Sequence, residues 1–411
     1  MKKRVLVLNC GTLASTYINM LLKNNSEFEL WGASTYNNHG EYIYKNYIND
    51  IPNISSKSFI EVLNEKIEKH NFEFIITPHE DLALYLQKNK DIINAKITCS
   101  CYETALLCRY KSKLYEKMKN YDFTPMVYKN DIKTFPVFMK KDDDQGAKCA
   151  FKIESHDEFV FYSKKYLNMI VTEYLPGDEI TVDCFTNKNG KLLFINPRLA
   201  SRVLAGIDVH SKTIRANEEV LFIAKSLNKE ICFRGYWFFQ IKKDRFGKYK
   251  LLEISTRLAG AFALTRAYDI NLPLMALKDF DDQDVEKYFE STNKLDVETD
   301  MQFFARYKID IKYDNVIIDF ESCFKDRVDE LFIAFIYQCI NNNKKLIILT
   351  QDESISKQRL SRLKIDSSIF EYISEITKNE NCILISDNES QKSGINSFSI
   401  CNIDSLIDWR N

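Results

Sequence analysis

Glycine and proline are the first scarcities: the 411-residue chain holds only 11 and 7 of them. Collagen-like repeats and Gly/Pro-rich linkers are excluded, and each glycine becomes a marker of a turn. Gly11, Gly146, Gly177, Gly206, Gly235, Gly247 and Gly260 all fall where the pattern expects the chain to turn. Histidine is rarer still, at five, and the 11 cysteines contain no CxxC; the closest pair is Cys99 and Cys101. No histidine stands near a cysteine pair at finger spacing, which argues against a zinc site. Cys10, Cys149, Cys184 and Cys232 lie in apolar segments and read as buried free thiols, so a reducing cytoplasm is expected. No apolar run reaches the ~20 residues of a membrane span. The basic stretch Met1–Arg4 is followed only by Val5–Leu8, too short for a signal-peptide core. The net charge of −1 offers no global field for nucleic acid or an anionic membrane.

What the chain does have is core-forming material: 45% apolar and 28% charged residues, as in soluble globular proteins. Its length suggests about two to three domains. Residues 4–9 (RVLVLN) read as a buried parallel strand, turning through Cys10, Gly11 and Thr12 into an apolar-periodic helix. Short strands at 29–33 and 74–77 flank a helix at about 59–70, so a doubly wound α/β domain is expected. The single glycine of the first turn lacks the GxGxxG pattern, which argues against a dinucleotide site. A charged helix follows at 111–119, ended by Asp122-Phe-Thr-Pro125. The stretch 135–183 reads as strands with charged loops, 218–227 as a helix, and 236–242 with 249–254 as two strands joined by Asp244-Arg-Phe-Gly247. A polar stretch at 291–299 approaches a linker. A new α/β pattern begins at Val316–Phe320 and runs through a helix at 330–340 and strands at 346–349 and 382–385.

Four clusters carry chemistry. In the first, Phe-Pro-Val-Phe-Met-Lys140 ends a strand and a polar loop leads to Gly146-Ala-Lys148; a lysine and loop N–H groups can hold phosphates, though a solvated lysine reads the same way. In the second, Val171-Thr-Glu-Tyr-Leu-Pro-Gly177-Asp-Glu179 can offer backbone groups to an adenine edge and a carboxylate to a ribose, or be a plain hairpin. In the third, Gln240 and Leu-Leu-Glu253-Ile-Ser255-Thr-Arg257 lie on neighbouring strands and present oxygen donors suited to magnesium; Glu253 in an apolar strand is costly without a cation. In the fourth, Pro197-Arg198-Leu-Ala-Ser-Arg202, before Gly206, can serve an anionic substrate or a moving phosphoryl group, or be two solvated arginines on a helix face.

In this order along 110–280 the clusters resemble the ATP-grasp superfamily, in particular its carbamoyl-phosphate-synthase-like branch of carboxylate–amine ligases. The resemblance implies a multidomain α/β and α+β fold: a doubly wound pre-ATP-grasp domain over 1–109, an ATP-grasp core over 110–298, and a further domain over 299–411. It implies ATP and Mg2+ as cofactors, small-molecule carboxylate and amine substrates, and a homodimer as an allowed state, with neither nucleic acid nor membrane as partner. Lys111 matches the lysine opening the first helix, and Lys140 the lysine on the adenine and α-phosphate. Residues 142–150 replace the glycine-rich lid, keeping only Gly146. Glu173, Tyr174 and Leu175 match the adenine hinge, with Thr172 before it, and Glu179 the ribose acid. Gln240, Glu253 and Ser255 match the metal positions, the last being asparagine in the family. Arg257 and Arg202 match arginines that stabilise the transferring phosphoryl group.

Residues 315–411 resemble haloacid-dehalogenase-like (HAD-like) phosphatases. Val316-Ile-Ile-Asp319-Phe-Glu321 matches the first motif, Leu346-Ile-Ile-Leu-Thr350 the second, Ile383-Leu-Ile-Ser386-Asp387 the fourth, and 394–409 the closing segment. Glu321 and Ser386 stand where the family has aspartates, and Lys378 is the nearest third-motif lysine. Asp319, Glu321, Thr350 and Asp387 are the candidate residues of a degenerate, structural or substrate-presenting module. Three functions are thus open: an ADP-forming carboxylate–amine ligase, an HAD-type phosphatase with an ATP-grasp binding platform, and a non-catalytic nucleotide sensor.

Overall fold

The apolar run near the start of the chain becomes a strand buried on both faces. In the computed structural model β1 (Lys3–Leu8) is joined by β2 (Phe28–Ala33), β3 (Asn46–Ile48), β4 (Phe72–Ile76) and β5 (Lys96–Ile97) in a parallel sheet ordered β3-β2-β1-β4-β5. Val5 and Val7 enter the core on one face, Leu6 and Leu8 on the other, as the two-residue period of a strand requires. The structure describes residues 2–129, 132–143, 149–204, 207–290, 295–302, 304–307, 309–325, 328–376, 381–388 and 395–410. They fall into two units, Met1–Phe303 and Phe304–Asn411.

The first βα turn is packed by the loop that follows β2. A Cβ on Gly11 would lie 2.6 Å from the Asn38 side chain. Asn38 in turn donates to Ser34 Oγ at 2.7 Å and accepts from Gly40 N–H at 2.8 Å. The glycine lets the 34–40 loop pack closely against the turn that leads into the helix Leu13–Leu22.

Two antiparallel sheets follow. The smaller comprises β6 (Val127–Tyr128), β7 (Val137–Lys141), β8 (Ala150–Ile153) and β9 (Met169–Glu173), ordered β6-β9-β7-β8. Val137, Met139, Ile153 and Val171 form its own core. The helix His156–Lys165 covers it, where only strands and loops were expected. That helix fully buries no residue, so no 3.6-residue apolar stripe marks it in sequence; its start is fixed by Ser155, whose hydroxyl accepts from Glu158 N–H at 3.3 Å.

The larger sheet comprises β10 (Glu179–Thr186), β11 (Leu192–Leu204), β12 (Ile207–Thr213), β13 (Gly235–Lys243), β14 (Tyr249–Ser255) and β15 (Glu298–Asp300), ordered β14-β13-β10-β11-β12-β15. One face shares a core with the N-terminal sheet: Phe185, Tyr236 and Phe238 cluster with Val5, Phe28 and Phe262. Its other face packs Val182, Cys184 and Trp237 on Leu114 and Tyr115 of the helix Lys111–Met118 and Ile223 of the helix Glu218–Glu230. The shared core makes 1–303 one unit, and β15 carries the sheet to Asp300.

The second unit is a parallel sheet of β16 (Asn315–Asp319), β17 (Lys345–Leu349), β18 (Glu371–Ile373), β19 (Cys382–Ile385) and β20 (Asn396–Phe398), ordered β18-β17-β16-β19-β20. The helix Glu330–Asn341 buries Phe332, Phe335 and Ile336 against Val316, Ile318 and Ile383. The helix Glu353–Arg362 has no sequence expectation because it buries only Ser356 and Leu360. All 11 cysteines are free; Cys10 and Cys184 are buried as expected, whereas Cys149 is half-buried and Cys232 exposed. Among the described residues no helix is long and apolar enough to cross a membrane.

Trp237 is the largest fully buried side chain of the unit. Its ring stacks on Phe233 with centroids 3.9 Å apart, and Nε1 donates to Thr186 Oγ1 at 2.9 Å. Trp237→Ala is expected to lower stability by about 3–5 kcal/mol, read as a lower urea midpoint at unchanged m.

Candidate active site

The two antiparallel sheets hold between them a cavity of about 410 Å3. Of the sequence-predicted residues, Lys111, Lys140, Glu173, Tyr174, Leu175, Glu179, Gln240, Glu253 and Arg257 line it. They come from separate elements: Lys140 from β7, Glu173 from β9, Glu179 from β10, Gln240 from β13, Glu253 from β14 and Lys111 from the first turn of its helix. Gly146 and residues 144–148 of the lid lie outside the described residues, as do Lys378 and Gly394.

Lys140 is buried. Its Nζ donates to Tyr115 Oη at 2.8 Å and to the Leu252 carbonyl at 3.2 Å. Burial, with Lys111 as a second cation nearby, brings its pKa down to about 7, against the opposing pull of Glu253, Glu179 and Asp142. The cavity therefore presents a lysine whose protonated form an anionic ligand would favour.

Gln240 and Glu253 are directly paired in the register of β13 and β14, so their side chains share one face. Glu253 Oε2 lies 3.6 Å from Lys111 Nζ, which supplies the cation that a carboxylate in an apolar strand needs. Gln240 Nε2 donates to Thr181 Oγ1 at 3.3 Å. Ser255, two residues after Glu253, is buried and its hydroxyl has no hydrogen-bond partner among the described residues. One carboxylate, one amide and one orphaned hydroxyl fit a magnesium ion that takes its other ligands from phosphate oxygens. Among the described residues no group of three or more His, Cys, Asp and Glu could hold a metal unaided.

At the opposite end, the hinge is built around Glu173. Its N–H donates to the Met126 carbonyl at 3.0 Å and its Oε1 accepts from Met126 N–H at 2.9 Å. Tyr174 lies beneath Lys152 Nζ, 4.8 Å from the ring centroid, and Leu175 is buried. Gly177 packs on Lys243, where a Cβ would come within 2.5 Å; the Pro176-Gly177 turn is thereby held against β13. Glu179 pairs with Lys242 at 3.4 Å.

The fourth cluster differs from expectation. Residues 197–204 are strand β11, not a helix, and Arg202 does not line the cavity. It pairs with Asp300 at 2.6 Å and is 59% exposed. Register irregularities on both sides of Arg202 break the alternation that would place it with Arg198. Arg198 lines the cavity instead, 2% exposed, with Nε 3.0 Å from Asp183 Oδ2 and Nη1 2.5 Å from Asp208 Oδ2. Burial raises the Asp183 carboxyl, and Arg198 opposes that rise. Arg257 does line the cavity, donating to the Leu258 carbonyl at 3.0 Å with its guanidinium 5.2 Å from the Phe238 centroid.

Glu80 was not foreseen. It opens the helix Glu80–Lys88 that follows β4, and read in sequence it is an ordinary first-turn acid. Burial raises its carboxyl, and Arg257 and Arg109 hold it down while Glu253 adds to the rise. Asp208 was equally invisible, because it lies on a strand whose pairing, not its sequence, brings it to Arg198.

In the second unit Asp319 is buried at the end of β16, and its Oδ2 accepts from Ser322 at 2.5 Å and Ser386 at 2.7 Å. Asp387 Oδ1 accepts from Ser399 Oγ at 2.6 Å, and Thr350 Oγ1 contacts Ser356 Oγ at 2.8 Å. Glu321 pairs with Arg359 at 3.0 Å with its side chain 72% exposed.

Arg198→Met should cost about 3–5 kcal/mol, because it leaves Asp183 buried without its cation. An unpaired buried acid has its folded pKa raised further, so the deficit against wild type should shrink as pH falls from neutral toward the unfolded carboxylate range. Urea unfolding at several pH values reads both effects.

Residues 165–303 match the family model described as "ATP-grasp in the biosynthetic pathway with Ter operon". No curated protein matches the chain in sequence. Among solved structures, the chain is similar to an L-amino acid ligase from Bacillus licheniformis (13% identity, TM-score 0.56, covering 68% of this chain and 74% of that one). It is similar to a biotin carboxylase from Campylobacter jejuni in complex with a β-γ-ATP ligand (14%, TM-score 0.57, 71% and 73%). A third is N5-carboxyaminoimidazole synthetase from Staphylococcus aureus complexed with ADP (13%, TM-score 0.57, 69% and 79%). At these identities the likeness is one of fold, and the residues that match the family model, 165–303, lie within the first unit.

Proposed function

We propose that the first unit is an ADP-forming ligase that joins a carboxylate to an amine through an acyl phosphate. The supporting observation is convergence: eight residues from three separate sequence clusters, together with Lys111, line one cavity. The ligases and nucleotide complexes among its fold neighbours point the same way.

On this reading the adenine lies against the hinge 173–175, Glu179 takes the ribose hydroxyls, and Lys140 with Lys111 holds the phosphates. Gln240 and Glu253, with Ser255 behind them, would hold magnesium, which would supply positive charge to offset that of the phosphates. Arg257 faces the charge of the moving phosphoryl group. A carboxylate oxygen of the first substrate attacks the γ-phosphorus, the bond to the β-phosphate oxygen breaks, and ADP leaves. The amine nitrogen then attacks the acyl carbon, the carbon–oxygen bond to phosphate breaks, and the nitrogen's proton departs with the released phosphate. Arg198, tied to Asp183 and Asp208, shapes the floor of the cavity and keeps Asp208 from adding an unpaired negative charge beside the phosphates.

The second unit we read as a degenerate HAD-like module without phosphatase activity of its own. The aspartate expected to act as nucleophile accepts two serine hydroxyls, and the acid two residues on is turned to solvent and Arg359. Phosphate release from p-nitrophenyl phosphate that vanished in Asp319→Asn and survived Glu253→Gln would reverse this assignment.

Two outcomes test the ligase. Mg·ATP should raise the melting temperature of the wild type and leave Lys140→Ala unmoved, while Glu253→Gln should keep nucleotide binding yet lose about a hundredfold or more of ADP formation in an acid-and-amine screen. Wild type that ignores ATP would end the ligase reading. Because Lys140 titrates near 7 when the site is empty and the phosphates favour its charged form, binding should take up a proton and weaken between about pH 7 and about pH 9. Calorimetry in two buffers of different ionisation enthalpy measures that uptake.

A further inference from the structure

A second cavity, of about 180 Å3, lies beside the first, and Ala261 lines both. It is built by three pieces of the first unit: the helix Leu13–Leu22, the segment after β14, and β15. At about 30 Å3 per water, it has room for a molecule of roughly six to nine heavy atoms and not for a nucleotide. Its walls are apolar where Met20, Leu21, Ala263 and Met301 contribute, and carry one anion, Asp300, and one cation, Arg266. Arg266 makes no ion pair among the described residues. Asp300 pairs with Arg202, but at 40% and 59% side-chain exposure such a pair is weak and an ammonium group can replace it.

A small cavity with an apolar wall, one carboxylate and one guanidinium is complementary to a zwitterion with an apolar side chain. Ala261 lines the larger cavity together with Arg257 and Gly260, so that molecule would lie beside the end of the larger cavity that the ligase reading gives to the moving phosphoryl group. We propose that the second cavity is the subsite of the amine substrate and that this substrate is a small apolar α-amino acid, its ammonium facing Asp300 and its carboxylate Arg266. The identification of the site as that of an amine rests on the ligase reading; its binding of an amino acid does not.

The test is calorimetry or saturation-transfer NMR on the full chain, with L-alanine, L-leucine and L-methionine as probes and ATP binding measured in parallel. At least one should bind saturably to wild type. 4-Methylpentanoate, which lacks the amine, and leucinamide, which lacks the carboxylate, should bind at least about tenfold more weakly than leucine. Asp300→Asn and the cavity-filling Ala263→Trp should each weaken the amino acid by about tenfold or more while ATP affinity stays within about twofold, which also shows that the variants fold. If Asp300→Asn does not fold, Ala263→Trp decides alone. ATP binding with no amino acid bound, or amino-acid binding that both variants leave intact, overturns the proposal and spares the ligase. Amino-acid binding without ATP binding supports the subsite and sinks the ligase reading.

Discussion

A carboxylate on an apolar strand needs a cation, and much of the first unit is arranged to meet that need at Glu253. Strand β14 is held in the sheet by Leu251 and Ile254, both buried, so Glu253 cannot turn away without loss of core. Lys111 answers it at 3.6 Å, and this in turn requires the helix Lys111–Met118 to lie across the sheet, where Leu114 and Tyr115 are buried. Tyr115 then has its hydroxyl inside the site. It donates to the Leu252 carbonyl at 2.6 Å and accepts from Lys140. One electrostatic requirement thus links a strand of the larger sheet, a helix, and a lysine of the smaller one.

The same arrangement sets the charge state of the site. Lys140 and Lys111 are both nearly buried and mutually repulsive, and one of them must yield its proton more readily. Lys140 yields because its near contacts are a tyrosine hydroxyl and a carbonyl rather than a carboxylate. Burial and the neighbouring Lys111 together lower the Lys140 pKa to about 7, against the opposing pull of Glu253, Glu179 and Asp142. Glu80, raised by burial on the far side of Ser255, is the complementary case: a carboxyl whose charge depends on how Arg257 and Arg109 are engaged.

How much of this was legible in sequence follows from what each residue's position depends on. Lys140, Glu173 and Glu179 sit at or near strand ends, and Gln240 and Glu253 lie within two paired strands, so local pattern was enough to point all five at one cavity. The parallel sheets were readable from unbroken apolar runs such as 5–8 and 316–318. The helix His156–Lys165 was not, because it lies on the small sheet without burying a residue, and three-residue strands such as β18 and β20 leave no periodicity. Glu80 and Asp208 were beyond reach for another reason. Each arrives at the site through tertiary packing, one from the N-terminal sheet and one from an adjacent strand.

The two arginines of β11 show the limit most clearly. Four residues apart, Arg198 and Arg202 would share a face on a regular strand as well as on a helix. The irregular register at 200–203 separates them. Arg198 is drawn under the cavity by two aspartates, and Arg202 is left outside with Asp300. An irregularity of this kind has no sequence signature of its own here; it is settled by the pairing of β12 with β11 and β15 together. Its effect reaches both cavities. It fixes the guanidinium beneath the larger one in a double ion pair, and it leaves at the mouth of the smaller one an exposed pair weak enough for a ligand's charge to replace.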